Sequence, residues 1–485
     1  MVTDTILLIL RDTDFIMKTT LYQKIAETLS DQIKSGTIKT GEKMPSLRDL
    51  KREYGVSMNT VIQAYLELES QGLIISRPKS GYFVNYKPNR LSVPSTSNPE
   101  GIEEPECVES LIAKVYTSLN DTRITRFSLG VPENELLPIA KLNKELVNAT
   151  RNLKGGGTEY ENIQGNQKLR RDIARFTYTW NGILQEEDII TTAGAMNALS
   201  FALMALTKKG DTIAVESPVY FGILQLAKSL GLHVIELPTN PITGVELEAL
   251  KKVIPKIKTC ILISNFNNPL GSCMPETHKK EVVSMLAKYG IPLIEDDLYG
   301  DVYFGSNRPK PCKAFDKEGL VLWIGSVSKT LAPGYRVGWI APGKFKEKII
   351  HQKLIHTVSS TTITQEAIAN FLEKGRYENY LRKLRKTLHS NSLHYARAIA
   401  EYFPEKTKIS NPQGGFMLWV ELEEKINTVE LYEKAIRQNI SIAPGRMSTL
   451  QNQFNNCMRL SYGQRWSEHI EDKLKQLGRI AKRMS

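Results

Sequence analysis

The chain has 485 residues, a length that excludes a single hydrophobic core and indicates two or three domains. With 41% hydrophobic and 24% charged residues, the composition is that of an ordinary globular protein. The net charge of +12 indicates an anionic partner, although charge alone does not separate nucleic acid from phosphate ligands. The five cysteines form no C-x-x-C pair, so neither a metal site nor a disulfide framework is expected, and a reducing cytoplasm fits best.

The first 17 residues contain a short apolar run, Ile6 to Leu10, between charged residues. This run is too short to span a bilayer and lacks the flanking features of a signal peptide, so no membrane association is expected. Residues 1–17 are predicted to form a disordered extension. Met17 is an alternative start, because the recognisable pattern begins just after it.

Residues 18–85 have the pattern of three helices followed by two short strands. Apolar residues at steps of four predict a first helix that begins at Leu21 and ends near Gly36. Ser46 and Ser57 are placed to cap a second and a third helix. The stretch LIISRPKSGYFV predicts two strands around a basic turn. This order predicts a winged helix-turn-helix.

The polar residues of this module suit DNA, since the start of the third helix exposes side chains that reach base edges in the major groove. The candidates for base contacts are Ser57, Met58, Asn59, Thr60 and Gln63. The candidates for phosphate contacts are Arg48, Arg52, Arg77 and Lys79. A helical dimerisation module with a solvated polar face has the same periodicity and is the alternative interpretation.

The same stretch, from Leu21 to Val84, closely resembles the DNA-binding domain of the GntR family. The resemblance is carried by G-x-K-x-P-S-x-R-x-L, by V-S-x-N-T-V and by the wing G-L-I-x-S-R-P-x-S-G-Y-F-V. It implies that the partner is a double-stranded DNA operator. It also implies that the following residues face DNA: Ser46, Arg48, Ser57, Asn59, Thr60 and Gly81.

Residues 86–120 are predicted to be a linker. From Tyr86 to about Glu109 the chain contains prolines, serines and an acidic cluster without sustained periodicity, which predicts a semi-extended tether. A helical pattern resumes at SLIAKVYTSL.

Residues 121–485 alternate short apolar runs with helical stretches, which predicts an α/β fold with a mainly parallel sheet covered by helices. The predicted strands are DIITTA, DTIAVES, HVIELP, TCILISNF, IPLIEDD, LVLWIGS and RVGWI. From about residue 364 to the end, long helices and fewer strands predict a smaller α+β subdomain.

Polar residues follow these strands at their carboxyl ends, where sheets of this type bind ligands. Gly194 follows one strand and opens a helix, so neighbouring backbone N–H groups are placed to hold a phosphate. Other strands are followed by Asn268, Asp296, Tyr299, Ser326, Ser328 and Lys329.

An acid, a lysine and a phosphate turn are the three groups that pyridoxal 5'-phosphate requires. Its aldehyde needs a lysine amine for a Schiff base, and Lys329 is the candidate. Its ring nitrogen needs a carboxylate, for which Asp296 is the candidate, and its phosphate needs hydroxyls, amides and a cation. The alternative for Lys329 is an ordinary surface ion pair.

Residues from about Arg126 to Arg459 resemble the fold-type I aminotransferases. The motifs are YENIQGNQKLRRDIA, TAGAMNAL, ESPVYFG, NNPLG, EDDLYG, SVSKTLAPGYRVGW and MRLSY. Two positions depart from the family pattern: Leu270 replaces a threonine, and Ala195-Met196 provides no hydroxyl in the phosphate turn.

The resemblance implies one role for each matching residue. Lys329 is the catalytic lysine, Asp296 pairs with the ring nitrogen, and Arg459 clamps a substrate carboxylate. The phosphate contacts it implies are Gly194, Ala195 and Met196 through backbone amides, Ser326, Ser328 and Arg336 through side chains, and Tyr160 toward the partner subunit's cofactor. The ring contacts it implies are Tyr220 beside the ring, and Asn268 and Tyr299 at its phenolic oxygen.

A GntR-type winged helix followed by an aminotransferase-like domain is the architecture of the MocR/GabR transcription regulators. That resemblance implies a sensor in which an amino compound binds at the cofactor and alters DNA binding. It also implies a head-to-tail, domain-swapped homodimer in the cytoplasm. An active aminotransferase with an accessory DNA-binding domain is the alternative, and a sensor of the cofactor itself is a third hypothesis.

Overall fold

The computed structural model describes residues 20–77, 80–86, 91–99, 101, 109–118, 121–373 and 375–485. The chain divides into two compact units between residues 89 and 90. The predicted extension, residues 1–17, and the predicted phosphate contact Lys79 lie outside the described residues. Within the described parts, no helix combines the length and the apolar character needed to cross a membrane.

In its described residues, the first unit contains three helices and a two-stranded wing. Its elements are α1 (Leu21–Lys34), α2 (Leu47–Tyr54), α3 (Met58–Ser70), β1 (Ile74–Arg77) and β2 (Gly81–Val84). The two strands are antiparallel, with Ile74 opposite Val84 and Arg77 opposite Gly81. This order is the predicted winged helix-turn-helix.

Capping explains the helix boundaries of this unit. The hydroxyl of Ser46 accepts a hydrogen bond from the Asp49 amide, and that of Ser57 accepts one from the Thr60 amide, each at 3.2 Å. Helix α1 ends one residue earlier than predicted, and Gly36 follows with a φ of 79°, the conformation that favours glycine after a helix. The apolar faces of the three helices and the wing pack into one core.

The second unit begins with an irregular segment, residues 91–99, and continues through twelve helices in its described residues. These helices are α4 (Glu109–Ser118), α5 (Ile139–Asn152), α6 (Gln167–Phe176), α7 (Ala195–Leu206), α8 (Phe221–Ser229), α9 (Leu247–Val253), α10 (Glu276–Lys288), α11 (Lys346–Thr357), α12 (Thr362–Glu373), α13 (Arg376–Tyr402), α14 (Thr428–Ile436) and α15 (Glu468–Lys482). Segment 91–99 is hydrogen-bonded to this unit, so the predicted tether is fastened over that length.

The strands of the second unit form a large central sheet and smaller sheets. They are β3 (Thr125–Arg126), β4 (Ile190–Thr192), β5 (Thr212–Ser217), β6 (His233–Asn240), β7 (Gly244–Val245), β8 (Thr259–Leu262), β9 (Leu293–Asp296), β10 (Val321–Ser326), β11 (Gly338–Ala341), β12 (Lys408–Ile409), β13 (Met417–Glu421), β14 (Ile440–Ser441), β15 (Ala443–Pro444) and β16 (Cys457–Ser461).

The central sheet has the order β4-β11-β10-β9-β8-β5-β6-β7. Strands β10, β9, β8, β5 and β6 run parallel, and β11 runs antiparallel to both of its neighbours. Alternate residues of β8 enter different cores, Ile261 on one face and Cys260 with Leu262 on the other. The sheet is therefore buried on both faces, and the carboxyl ends of its parallel strands share one edge.

The predicted smaller subdomain is built on the sheet β12-β13-β16-β15. The long helix α13 and the last helix, α15, contribute residues to the same large core as this sheet. Strand β14 pairs instead with β3, from the start of the unit. Residues near both ends of the second unit therefore contribute to one body.

Candidate functional site

Two residues that follow neighbouring parallel strands form the centre of the site. Asp296 is the last residue of β9, and Lys329 ends a short 3₁₀-helix that directly follows β10. Lys329 Nζ donates a hydrogen bond to the carbonyl oxygen of Gly130 at 2.6 Å, and it lies 6.0 Å from the centre of the Tyr299 ring. The amine therefore points into the site, and with the residues that the structure describes it forms no ion pair of the kind that the alternative interpretation required.

Burial brings the pKa values of these two groups toward each other. It lowers the pKa of Lys329 to about 8, and nearby Arg459 adds to this effect while Asp296 opposes it. Burial also raises the pKa of Asp296 to about 7, against the hydrogen bond that its carboxylate accepts from the Leu298 amide. Near neutral pH, part of the Lys329 amine is consequently neutral, and the charged form of the Asp296 carboxyl requires a cationic partner.

A cradle for an anion lies at the end of β4 and the start of α7. Gly194 has a φ of 88°, and a Cβ atom there would lie 2.2 Å from Arg336 Nη2, so the turn and the guanidinium are in close contact. Arg336 donates to Ser328 Oγ and to the carbonyl oxygen of Ala193, both at 3.3 Å. Ser326 Oγ lies 2.8 Å from Ser328 Oγ.

The cradle therefore combines a guanidinium, two hydroxyls and the first amides of a helix, to which Ala195 and Met196 belong. The first amides of a helix have no partner within the helix and attract anions. This set of donors suits a phosphate monoester.

A chain of hydrogen bonds joins three residues from separate parts of the second unit. Arg459, on β16, donates to Asn268 Oδ1 at 3.0 Å and to the carbonyl oxygen of Ser128 at 2.5 Å. Asn268 donates in turn to the Tyr299 hydroxyl at 3.3 Å. Among the described residues, Arg459 Nε is buried without a hydrogen-bond acceptor, so this donor is available to a carboxylate.

The structure places the two remaining tyrosines differently. Tyr220 is half-buried at the N-cap of α8, next to Met196 of the anion cradle. Tyr160, predicted to reach the partner subunit's cofactor, is 87% exposed on the surface of this chain. The predicted cofactor residues other than Tyr160 therefore follow strand ends of one unit, and Tyr160 projects into solvent.

Three residues around the site escaped the sequence prediction: Ser128, Gly130 and Tyr116. The first two contribute backbone carbonyl groups, so their side chains gave no signal beyond the glycine and proline of SLGVP. Tyr116, on α4, packs edge-on against Phe221 and lines the same groove as Tyr220. Its helix lies about a hundred residues earlier in the chain, and no motif marked it.

The departure at Leu270 has a packing reason. Leu270 is buried in a small apolar cluster with Trp419 and Cys457. An aliphatic side chain fills this space, where a hydroxyl would need a partner. Near the other departure, the Thr192 hydroxyl donates to the carbonyl oxygen of Gly194 at 3.0 Å and holds the phosphate turn.

The candidate DNA interface of the first unit is formed by exposed residues on α2, on α3 and in the wing. Arg48, Arg52 and Asn59 are exposed, and the Arg77 guanidinium stacks 4.4 Å from the centre of the Phe83 ring. The hydroxyls of Ser46 and Ser57 are also engaged in capping. Gly81 opens β2 with a φ of 101°, which suits the tight turn of the wing.

Together, a winged helix with exposed polar residues and a sheet with a half-buried lysine, a buried carboxyl and a buried arginine define a class: DNA-binding regulators with an aminotransferase fold. Residues 21–84 match the family described as bacterial regulatory proteins, gntR family. Residues 123–472 match the family described as aminotransferase class I and II.

Similar proteins cover nearly the whole chain. The uncharacterized HTH-type transcriptional regulator YjiR of Escherichia coli K12 is 36% identical over 95% of this chain and 98% of its own length. The HTH-type transcriptional regulator NorG of Staphylococcus aureus is 27% identical over 89% of this chain and 98% of its own. The chain belongs to the HTH-type transcriptional regulators that combine a GntR domain with a class I and II aminotransferase domain, the MocR/GabR type. The predicted family and fold class are confirmed.

Two solved aminotransferase structures share the fold over most of this chain. The kynurenine aminotransferase of Pyrococcus horikoshii, solved with PMP, aligns with a TM-score of 0.72 and 25% identity over 78% of this chain and 95% of its own. The α-aminoadipate aminotransferase LysN of Thermus thermophilus has the same fold, with a TM-score of 0.70 and 24% identity over 78% of this chain and 99% of its own. The cofactor of this fold is pyridoxal 5'-phosphate, and the donor set described above fits it.

Proposed function

We propose that this transcription regulator holds pyridoxal 5'-phosphate on Lys329 and changes its DNA binding when a carboxylated amine enters the site. The observation that carries the proposal is that a half-buried amine, a buried carboxyl and a buried guanidinium with an unused donor are grouped in one chain with a winged helix. The amine suits the cofactor aldehyde, the carboxyl suits the cofactor ring nitrogen, and the guanidinium suits the effector carboxylate.

The residues divide the work of binding. Arg336, Ser326 and Ser328, with the α7 amides, would hold the phosphate, and Asp296 would keep the ring nitrogen protonated. Bound pyridoxal phosphate supplies an aldehyde and a ring that accepts electrons. Tyr220 would lie beside that ring, with Asn268 and Tyr299 at its phenolic oxygen.

Lys329 and Arg459 deal with the cofactor aldehyde and the effector. The lowered pKa of Lys329 keeps part of its amine neutral near pH 7, so it is able to act as a nucleophile and to accept a proton. Arg459 Nε would donate to the effector carboxylate. All the groups needed for aminotransferase turnover are present, so a measurement must distinguish aminotransferase activity from sensing of an effector.

On the DNA side, Asn59, Thr60 and Ser57 at the start of α3 would contact base edges, and Arg48 and Arg52 would contact phosphates. The remaining predicted contacts are Ser46, Arg77, Lys79 and Gly81. Because the operator is chromosomal DNA, we propose the cytoplasm as the place where the protein acts.

We further propose a homodimer, head-to-tail and domain-swapped, in which Tyr160 of each chain serves the other chain's cofactor. In support, Tyr160 is 87% exposed, and Leu354, Ile355 and Val358 expose about half of their apolar surface at the end of α11. Exposed apolar residues at one helix end favour a protein partner. A monomeric mass in light scattering would contradict this part of the proposal.

The deciding experiment exposes the pyridoxal phosphate-loaded protein to a panel of amino acids and a keto acid. Regulation predicts a change in visible absorbance together with changed retention of a DNA duplex selected by the protein, without sustained product. Sustained product at ordinary enzyme rates without duplex binding would instead establish the aminotransferase. Duplex affinity that follows the cofactor but no amine would indicate a sensor of the cofactor itself.

A further inference from the structure

The first contact of interest joins the linker to two strands of the central sheet. Ser97 lies in segment 91–99 and is 7% exposed. Its hydroxyl donates to the carbonyl oxygen of Ser217 at 2.5 Å and accepts from the Thr239 amide at 2.8 Å. Ser217 ends β5 and Thr239 lies near the end of β6. One buried serine of the linker therefore bridges neighbouring strands at the edge that carries the cofactor residues.

The second contact comes from α4, on the other side of residues 102–108. The Tyr116 ring packs edge-on against Phe221, with 5.5 Å between ring centres. A groove of ≈ 440 Å³ runs beside these rings and includes Met196 in its lining. Tyr116 and Tyr220 both line this groove, so α4 lies beside the cofactor-site tyrosine.

Both contacts converge on the segment Ser217–Phe221, which connects β5 to α8 and carries Tyr220. The segment is held from residues 91–99 through Ser97, which is bonded to Ser217, and from α4 through Tyr116, which packs against Phe221. These are the two described parts of the chain that lead from the first unit to the aminotransferase core. The segment that carries the cofactor-site tyrosine is therefore contacted at two points by the predicted linker.

We propose that Ser97 and Tyr116 are positioning residues that transmit the state of the cofactor site, through the segment Ser217–Phe221, to the linker. The inference rests on the proposed function, since it names how the effector signal leaves the site. Allosteric coupling requires contacts that differ between two states. A ligand that shifts Tyr220 moves the adjoining Phe221 ring, against which Tyr116 packs, and the Ser217 carbonyl, which is the acceptor for Ser97.

Two changes test this connection in the full-length, cofactor-loaded protein: Ser97→Ala and Tyr116→Ala. The first removes the hydroxyl bonded to Ser217, and the second removes the ring packed against Phe221. The probe is aminooxyacetate, a carboxylated amine nucleophile. The measured quantity is the ratio of affinities for a selected duplex with and without the probe. We expect unchanged cofactor absorbance, an unchanged absorbance response to the probe, and a ratio reduced about three- to tenfold.

The matched control is Ser95→Ala. Ser95 lies two residues from Ser97 and also binds the second unit, but its hydroxyl contacts Glu421 and Lys408, away from the Tyr220 segment. The control should retain the wild-type ratio. If Ser97→Ala and Tyr116→Ala retain it as well, the proposed connection is wrong.

A second readout separates this inference from the proposed function. Hydrogen–deuterium exchange of peptides covering 91–99 and 109–118 is compared before and after pyridoxal phosphate is added to cofactor-free protein. Protection that increases in wild type and not in Ser97→Ala supports the connection, and equal protection in both overturns it. If aminooxyacetate changes neither the absorbance nor the duplex affinity of the wild-type protein, the proposed function is contradicted. The exchange comparison between wild type and Ser97→Ala still decides whether the linker is connected to the cofactor site.

Discussion

In the first unit the charged residues predicted to bind DNA project into solvent, whereas in the second unit Asp296 and Arg459, predicted to bind the cofactor ring and a carboxylate, are buried. The Arg52 side chain is 86% exposed and pairs only loosely with Asp49 at 3.6 Å, while Arg459 is 7% exposed and donates to two oxygens of its own chain. The sizes of the proposed partners explain this contrast. Duplex DNA is contacted by side chains that reach outward, but a small anion is distinguished only where water is excluded.

Burial has an energetic consequence that surface placement lacks. The pKa values of Asp296 and Lys329 move in opposite directions for the same reason, loss of hydration. Exposed arginines retain full hydration, so their contribution to binding depends on salt and on the DNA charge. We therefore expect substitutions in the second unit to have larger and more specific effects than those in the first.

The largest effect is expected for Lys329→Ala. Without the amine no covalent link to pyridoxal phosphate forms, so the visible absorbance of the loaded protein and borohydride-trapped cofactor should disappear completely. Binding of the selected duplex by the first unit should persist without effector. A spectrum identical to wild type would show that Lys329 is not the attachment site.

The next effect is expected for Arg459→Ala. Loss of charged hydrogen bonds to a carboxylate costs about 1.5–3 kcal/mol, so the concentration of carboxylated amine needed for half response should rise about 10- to 150-fold. The absorbance response reports this, and amines without a carboxylate serve as the control. An equal loss for both kinds of amine would contradict the carboxylate role.

A smaller effect, confined to the first unit, is expected for Asn59→Ala. A side chain that reads one base contributes about 1–3 kcal/mol, so affinity for the selected duplex should fall about 5- to 150-fold while nonspecific binding changes little. Fluorescence anisotropy measures both, and Gln32→Ala on α1 is the control. Cofactor absorbance lost together with DNA affinity would show that the two units do not act as separate modules.

The most gradual effect is the pH dependence of the rate at which the protein captures its cofactor. Because the pKa of Lys329 is lowered to about 8, the rate at which cofactor-free protein captures pyridoxal phosphate should rise about tenfold per unit below pH 8 and level off above it. Stopped-flow absorbance from about pH 6 to 10 measures this rate. N-acetyl-lysine amide, with an ordinary amine, should continue to accelerate toward its own pKa. A protein rate that follows it would mean that burial does not tune Lys329.

Much of the site was predictable because it follows the ends of parallel strands. Asp296, Lys329 and Gly194 each follow an apolar run, and a parallel sheet brings such positions to one edge whatever the details of packing. Capping positions were predictable for a similar reason, since Ser46 and Ser57 act on amides three residues away.

Other contacts required the folded chain. The carbonyl groups of Gly130 and Ser128 carry no signal in their side chains, yet they accept hydrogen bonds from Lys329 and Arg459 across 199 and 331 residues of sequence. The linker had the composition of a free tether, but Ser97 is fastened at the end of β5. Nothing local to that stretch distinguishes a fastened serine from a solvated one.

By itself the sequence determined which elements form and which strand ends carry polar groups, because periodicity, caps and turns act over a few residues. The tertiary structure decided which of those groups touch, how far burial moves the pKa values of Lys329 and Asp296, and where the linker is held. Those properties depend on distance and on exclusion of water between segments hundreds of residues apart, and only packing brings such segments together.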